Sequence, residues 1–519
     1  MSIELKKDSV SLSNTLCDIS GRILCESDII VPDILPDIAH IVHTNITPII
    51  TESRVSEEGI LTAGSIDINI IYLDDASVAH AINTRQTFSK MLESSGLSPD
   101  KNIIINTGTL LENLEHNLIN SRKLTIKALV EINAYTTVID EIELPTDLHD
   151  KDNYELKTSA VNIYSIRGMH THSCNVRDAL EVPAGKPPIY EILRMFIQPD
   201  KKEYTIAGSK IITKGSLIAS VLYTSDTENK TIQYFEQELS FTEIVDSTLA
   251  TDDSSCDLDY LIQTVSHTLR EDNDGDTRAI VLDISLDIHA KLRNTKSINI
   301  LTDTYSTMTN VSTSSQSLSV DTLVTKGAYQ FPIKEALTIE PTLPEISQIL
   351  NINAVPKLGE VKLEDEKILL RGEIKTELLY LADNPQNPIA SYKTAIPFTQ
   401  TLDIAGITSD MACEIKLSTL AVNSSAEMGY SAEFRCILSA DVHVIKSHTM
   451  HYIDSMEESE LQTSSSHENC AIKIYFVQKG DSLWDIAKHY KKKISDILSI
   501  NDIDENCILM PGRQIIIPS

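Results

Sequence analysis

The sequence holds one tryptophan in 519 residues, and only 44 lysines and arginines against 75 aspartates and glutamates, a formal charge of −31. Phosphate contacts need a basic face, so this balance argues against nucleic acid as a partner, and an anionic membrane surface is disfavoured for the same reason. No apolar run approaches the roughly 18 residues of a membrane span. The opening MSIELKKDSV has no apolar segment of the secretory kind, so the chain is expected to stay in the compartment where it is made. The eight cysteines form no C-x-x-C pair and no regular spacing, which reads as reduced thiols of a cytosolic protein. His170, His172 and Cys174 would share one face of a strand, and His448 and His451 lie close in sequence, but neither group has the further ligand a metal needs, so none is expected. There is also no G-x-S-x-G, phosphate-binding glycine loop or H-E-x-x-H. The acidic run from Glu271 to Asp276 lacks the glutamate a calcium loop places at its twelfth position and reads as a turn between strands. No catalytic residue and no cofactor is assigned, and the chain is expected not to be an enzyme.

The length exceeds what one hydrophobic core supports, and an apolar share of 41% is ordinary for folded soluble material. The acidity is uneven. Residues 471–519 carry seven basic and six acidic side chains, leaving 37 against 69 for the rest. A net charge of −32 in the long N-terminal part serves solubility, or attracts a basic protein partner.

Internal repetition organises that part. The segments ILTAGSIDINIIY (60–72), IITKGSLIASVLY (211–223) and ILLRGEIKTELLY (368–380) align without a gap. Each has glycine at its fifth place (Gly64, Gly215, Gly372) and tyrosine eight residues later (Tyr72, Tyr223, Tyr380). A proline stands 28 residues before each glycine (Pro36, Pro187, Pro344). The apolar positions behind it, such as Ile38, Ile41 and Val42, have the i, i+3, i+4 spacing of a short amphipathic helix. The glycine-to-tyrosine segments alternate instead, the period of a half-buried strand, and glycine inside a strand marks a bulge or a close approach. An aromatic follows in each copy (Phe88, Phe241, Phe398), and a long alternating strand closes it, as in Ile280 to Ala290 and Phe434 to Val444. The expected fold is therefore mainly β: three tandem, sandwich-like modules with little helix at 8–150, 155–305 and 318–446, each sheet packed on sheet. The polar, serine-rich stretch 447–470 has linker composition, and 471–519 forms a separate domain.

In that last domain, Ile474 to Val477 reads as a strand and Gly480 ends it. Ser482 with Asp485 makes a capping box for a helix whose buried stripe is Leu483, Ile486 and Ala487. A second helix, then Asn501 and Asp502, then Pro511-Gly512 and a strand from Gln514 to Ile517 complete a βααβ order. Trp484 stands beside the stripe with Lys488 one turn on, an expected partly exposed anchor for a protein partner; the alternative is that it covers the edge of a domain with little core.

The string VQKGDSLWDIAKHY, ISDILSIN and LMPGRQIIIP resembles a LysM domain, which implies a shallow groove for N-acetylglucosamine polymers. Its positions here would be Gly480, Asp481, Ser482, Leu483, Asn501, Asp502 and Ile503. Lys491, Lys492 and Lys493 depart from the family's glycine-containing helix connection. The repeats, the acidity and the single terminal LysM are together similar to the SPOCS-domain spore-coat proteins of endospore formers, of SipL-like architecture. That resemblance implies a morphogenetic scaffold in the mother-cell cytoplasm at the forespore surface, with the LysM domain binding the SpoIVA-like coat ATPase; the residues expected to carry the contact are Trp484, Lys488, Asp481 and Leu483. The alternative is a module that binds peptidoglycan or its lipid-linked precursor.

Overall fold

The computed structural model describes residues 3–149, 151–384, 386–427, 429–459, 473–504 and 509–518. The first module contains β1 (Leu5–Ile30), β2 (His40–Ser56), β3 (Gly59–Leu73), β4 (Ala79–Glu93), β5 (Ile103–Asn120) and β6 (Lys123–Leu148). The second repeats this order as β7 (Tyr154–Glu181), β8 (Ile189–Ala207), β9 (Lys210–Ser225), β10 (Ile232–Asp246), β11 (Ser255–Glu271) and β12 (Thr277–Ser306). The third does so as β13 (Asn310–Thr338), β14 (Ile346–Glu364), β15 (Lys367–Ala382), β16 (Ile389–Asp403), β17 (Ala412–Ala426) and β18 (Ser431–Ser459). In every module the first, sixth and fifth strands form one antiparallel sheet and the second, third and fourth another.

The two sheets of a module close on one core. In the second it joins Ile284, Leu286 and Ile288 of β12 to Ile211, Leu217 and Val221 of β9. The alternation legible in the long closing strands is the alternation of burial: Ile280, Leu282, Ile284, Leu286, Ile288 and Ala290 are all fully buried.

The repeated glycine and aromatic are cross-strand partners. Gly64 lies opposite Phe88, Gly215 opposite Phe241 and Gly372 opposite Phe398. A β-carbon at these glycines would lie 2.8, 2.6 and 2.8 Å from the facing ring's Cζ, so the missing side chain is the space the ring fills. The proline and tyrosine are also partners. The buried hydroxyls of Tyr72, Tyr223 and Tyr380 donate to the carbonyls of Pro36, Pro187 and Pro344 at 2.9, 2.8 and 2.9 Å.

Two expectations are corrected. The apolar spacing after each proline belongs to strands β2, β8 and β14, with Ile38 just ahead of β2, and not to a helix. Register shifts at Ile189/Glu191 and Ile192/Arg194 each add a residue, so Ile189, Ile192, Met195 and Ile197 reach the same core at spacings of three, three and two. The third module has the same shifts at Ile346/Gln348 and Ile349/Asn351. Residues 447–459, read as linker, continue β18 and pair with β13, burying Met450, Ile453 and Met456. Serine, threonine and histidine there occupy exposed sites between these apolar ones; 460–470 lies outside the described residues.

The three modules meet at equivalent positions. Val42, Leu193 and Leu350, and Ile71, Leu222 and Leu379, form one central core. Val10 and Leu144, Val161 and Ile300, and Val320 and Met450 form a second between the long strands. The joints also follow one rule, with the fourth strand of one module beside the second strand of the next. From β4 to β8, the Ala81 amide donates to Glu191 at 2.9 Å. From β10 to β14, Asn351 donates to the Tyr234 hydroxyl at 2.8 Å. From β16 back to β2, Lys393 donates to the Thr44 carbonyl at 3.3 Å. The ring is closed.

Candidate partner-binding site

The C-terminal domain consists of β19 (Lys473–Phe476), α1 (Leu483–Tyr490), α2 (Ile494–Asn501) and β20 (Gln514–Ile517), with β19 antiparallel to β20. Ser482 caps α1: its hydroxyl accepts from the Asp485 amide at 3.2 Å while the Asp485 carboxylate accepts from the Ser482 amide at 3.3 Å. Val477, Ile486, Ala487, Ile497, Ile515 and Ile517 form the core, and Tyr305 of β12 joins it. A domain this small gains a large aromatic it does not itself encode.

Trp484 is not partly exposed but 9% accessible. Its Nε1 donates to Asp303 Oδ2 at 2.7 Å, and its ring meets that of Tyr305 edge-on at 5.1 Å. Lys488 shares its flank as expected, but its Nζ donates to Asp303 Oδ1 at 2.6 Å. The ring that α1 presents sideways is thus covered by the end of β12. Leu483, expected in the buried stripe, is only half-buried. Burial works to raise the Asp303 pKa, but the Lys488 and Trp484 hydrogen bonds outweigh it and leave the carboxyl below its ordinary value.

The lysine run has a structural role. Lys491 adopts the left-handed conformation at the end of α1, with φ of 52°, the place where glycine is usual. From there its Nζ reaches the Thr309 carbonyl at 3.3 Å and the side chain of Asn310. The Lys492 carbonyl accepts from the Tyr305 hydroxyl at 2.8 Å.

The groove candidates are mostly committed to the fold. Gly480 makes the turn with φ of 99°. Asp481 accepts from the Tyr475 hydroxyl at 2.6 Å and the Gln478 amide at 2.8 Å. Those two bonds hold its carboxyl below the ordinary aspartate range. Asn501 donates to the carbonyls of Ile497 and Ile516, each at 2.8 Å, and accepts from the Ile516 amide at 2.7 Å, pinning α2 to β20. Asp502 is exposed with φ of 50°, and Ile503 packs on the core. Sequence reasoning missed an apolar outer face: Ile474 and Phe476 of β19 and Ile516 of β20, opposite Ile474, are exposed together. The alternation of Ile474 and Phe476 about Tyr475 is the signal that would have shown it.

The family model described as SipL, SPOCS domain matches residues 37–119, 188–270 and 345–427, and that described as LysM domain matches 475–518. No curated protein and no solved structure matches the chain. Each SPOCS match spans the second to the fifth strand of one module, and the long first and sixth strands fall outside it.

Proposed function

This chain belongs to the proteins that carry SPOCS and LysM domains, and from that premise we propose a non-enzymatic spore-coat morphogenetic scaffold of the mother-cell cytoplasm. It sits at the forespore surface and binds the SpoIVA-like coat ATPase through its LysM domain. The SPOCS and LysM domains fit a sporulation protein with a domain of peptidoglycan-binding type, and neither is an enzyme family. What favours protein over glycan is the chemistry of the groove. Asn501 donates both its amide hydrogens and Ser482 its hydroxyl proton inside the domain, and Oδ2 of Asp481 takes two internal bonds, so these side chains have less left to offer a sugar's acetamides and hydroxyls. The exposed faces of Ile474, Phe476 and Ile516 instead suit an apolar protein contact. The deciding measurement is co-sedimentation of the full chain with insoluble peptidoglycan beside its capture by purified SpoIVA-like ATPase. Capture by the ATPase with no sedimentation is expected. Sedimentation without capture would establish the glycan alternative.

A further inference from the structure

The Trp484 flank of the LysM domain is built to receive an extended segment, and the segment it holds belongs to the same chain. Asp303 and Tyr305 stand two apart on β12 and so project from one face. The carboxylate of the first takes both the Trp484 indole N–H and the Lys488 ammonium. The ring of the second stacks edge-on against Trp484, and its hydroxyl closes on the Lys492 carbonyl. Lys157 stands 5.9 Å from the indole centroid on the body side. Nearly every polar contact here involves a charged group, and one aspartate carries two of them. Tyr305 and Trp484 add an apolar part to the joint, but the charged part, at Asp303 and Lys488, is still reached by solvent and is where a competing carboxylate can enter.

Resting on the reading that this domain binds a coat protein, we propose that the Trp484–Lys488 face is a recognition surface for a strand-like acidic-x-aromatic segment. The chain's own Asp303–Thr304–Tyr305 occupies it until a partner segment of the same chemistry displaces it. The kind of partner is thereby defined: a protein offering a carboxylate and, two residues later, an aromatic ring on an extended edge. Its apparent affinity is reduced by the fraction of chains in which the clamp is closed.

Trp484 is the only tryptophan, so the emission of the full chain reports this surface alone. Asp303→Ala with Tyr305→Ala should shift emission to the red and raise acrylamide quenching, with the β-sheet circular dichroism of the body unchanged. Lys488→Gln should do the same from the other side, which keeps the test valid if the double variant fails to fold. A peptide of residues 299–309 should bind the double variant and reverse the shift, and bind the unaltered chain about tenfold more weakly. The same peptide with Asp303→Ala should not bind. Purified SpoIVA-like ATPase should bind the double variant about tenfold more tightly than the unaltered chain. Emission unchanged in both variants overturns the clamp. A red shift with no gain in ATPase affinity overturns the competition. If the peptide competes but the ATPase binds neither form, the clamp stands and the coat-partner reading falls.

Discussion

The three modules are joined by equivalent apolar positions from all three, whereas, among the described residues, the C-terminal domain is joined to them by the carboxylates of Asp303 and Glu155, the Tyr305 ring and a few lysines. The first kind of joint is non-directional and grows with buried area; the second depends on a few charge-assisted bonds. The body and the LysM domain should therefore come apart under different conditions. The chain supplies a probe for each, sheet circular dichroism for the body and Trp484 emission for the domain.

The comparison is broken hardest where the body itself uses charge. Glu377 of the third module lies 3.5 Å from Nε2 of His43 in the first and 3.6 Å from Nη1 of Arg194 in the second. Glu377→Gln takes the carboxylate from a guanidinium whose side chain is only 11% exposed and should cost about 3–5 kcal/mol, read by urea unfolding of the sheet signal. A loss below about 1 kcal/mol would mean that the apolar cores alone decide the assembly. Gly372→Ala drives a methyl toward the Lys357 carbonyl and the Phe398 ring and should cost about 1–3 kcal/mol, lowering the sheet midpoint more than Gly108→Ala, where nothing lies within 4 Å and the backbone is not left-handed. Tyr223→Phe removes the bond to the Pro187 carbonyl and should cost about 1 kcal/mol in the same assay.

Two buried histidines sharpen the comparison through pH. His80 donates to Glu191 at 2.7 Å across the joint between the first and second modules. Burial works to lower its pKa, but Glu191 and Asp74 outweigh that and leave it raised. Its contribution is complete below the unfolded value of about 6.5 and is lost as pH rises through the folded value. His43 is the reverse: burial pushes it down to about 3, so it favours folding above about 6.5 and opposes it as pH falls toward 3. The stability difference between the unaltered chain and His80→Gln should therefore be largest in mild acid and shrink toward alkaline pH. A difference that grows with pH would refute the assignment. The smallest effect belongs to the appended domain: Lys491→Gly relieves the left-handed backbone but gives up the contacts to Thr309 and Asn310. Its net change in the emission-monitored midpoint should stay within about 1 kcal/mol.

What the sequence made legible were relations within one repeat. The glycine, the aromatic, the proline and the tyrosine recur at nearly fixed distances because each pair touches inside its module. The bulges hid the second strand of each module, since an inserted residue turns a period of two into the three-residue step of a helix. Residues 447–459 escaped notice because their buried side chains, Met450, Ile453 and Met456, are separated by polar ones and meet partners in other modules. The exposure of Trp484 was misjudged for a related reason. The helical wheel ranks the faces of α1, but the residue covering the indole is Asp303, 181 positions earlier. The groove candidates were recognised from motif, yet the internal bonds of Asp481 and Asn501 appear only once the strands they clamp are in place.

The closed run of joints, fourth strand to second strand and back to the start, also counts. An open succession of such modules would leave one donor edge and one acceptor edge at its ends and could lengthen without limit, by further duplication or by end-to-end polymerisation. Here the edge of β16 returns to β2, so a fourth copy would find both berths taken. The number three is set by geometry and not by the length of the gene. Growth of any larger lattice must then start from some other surface than the one that made the repeats.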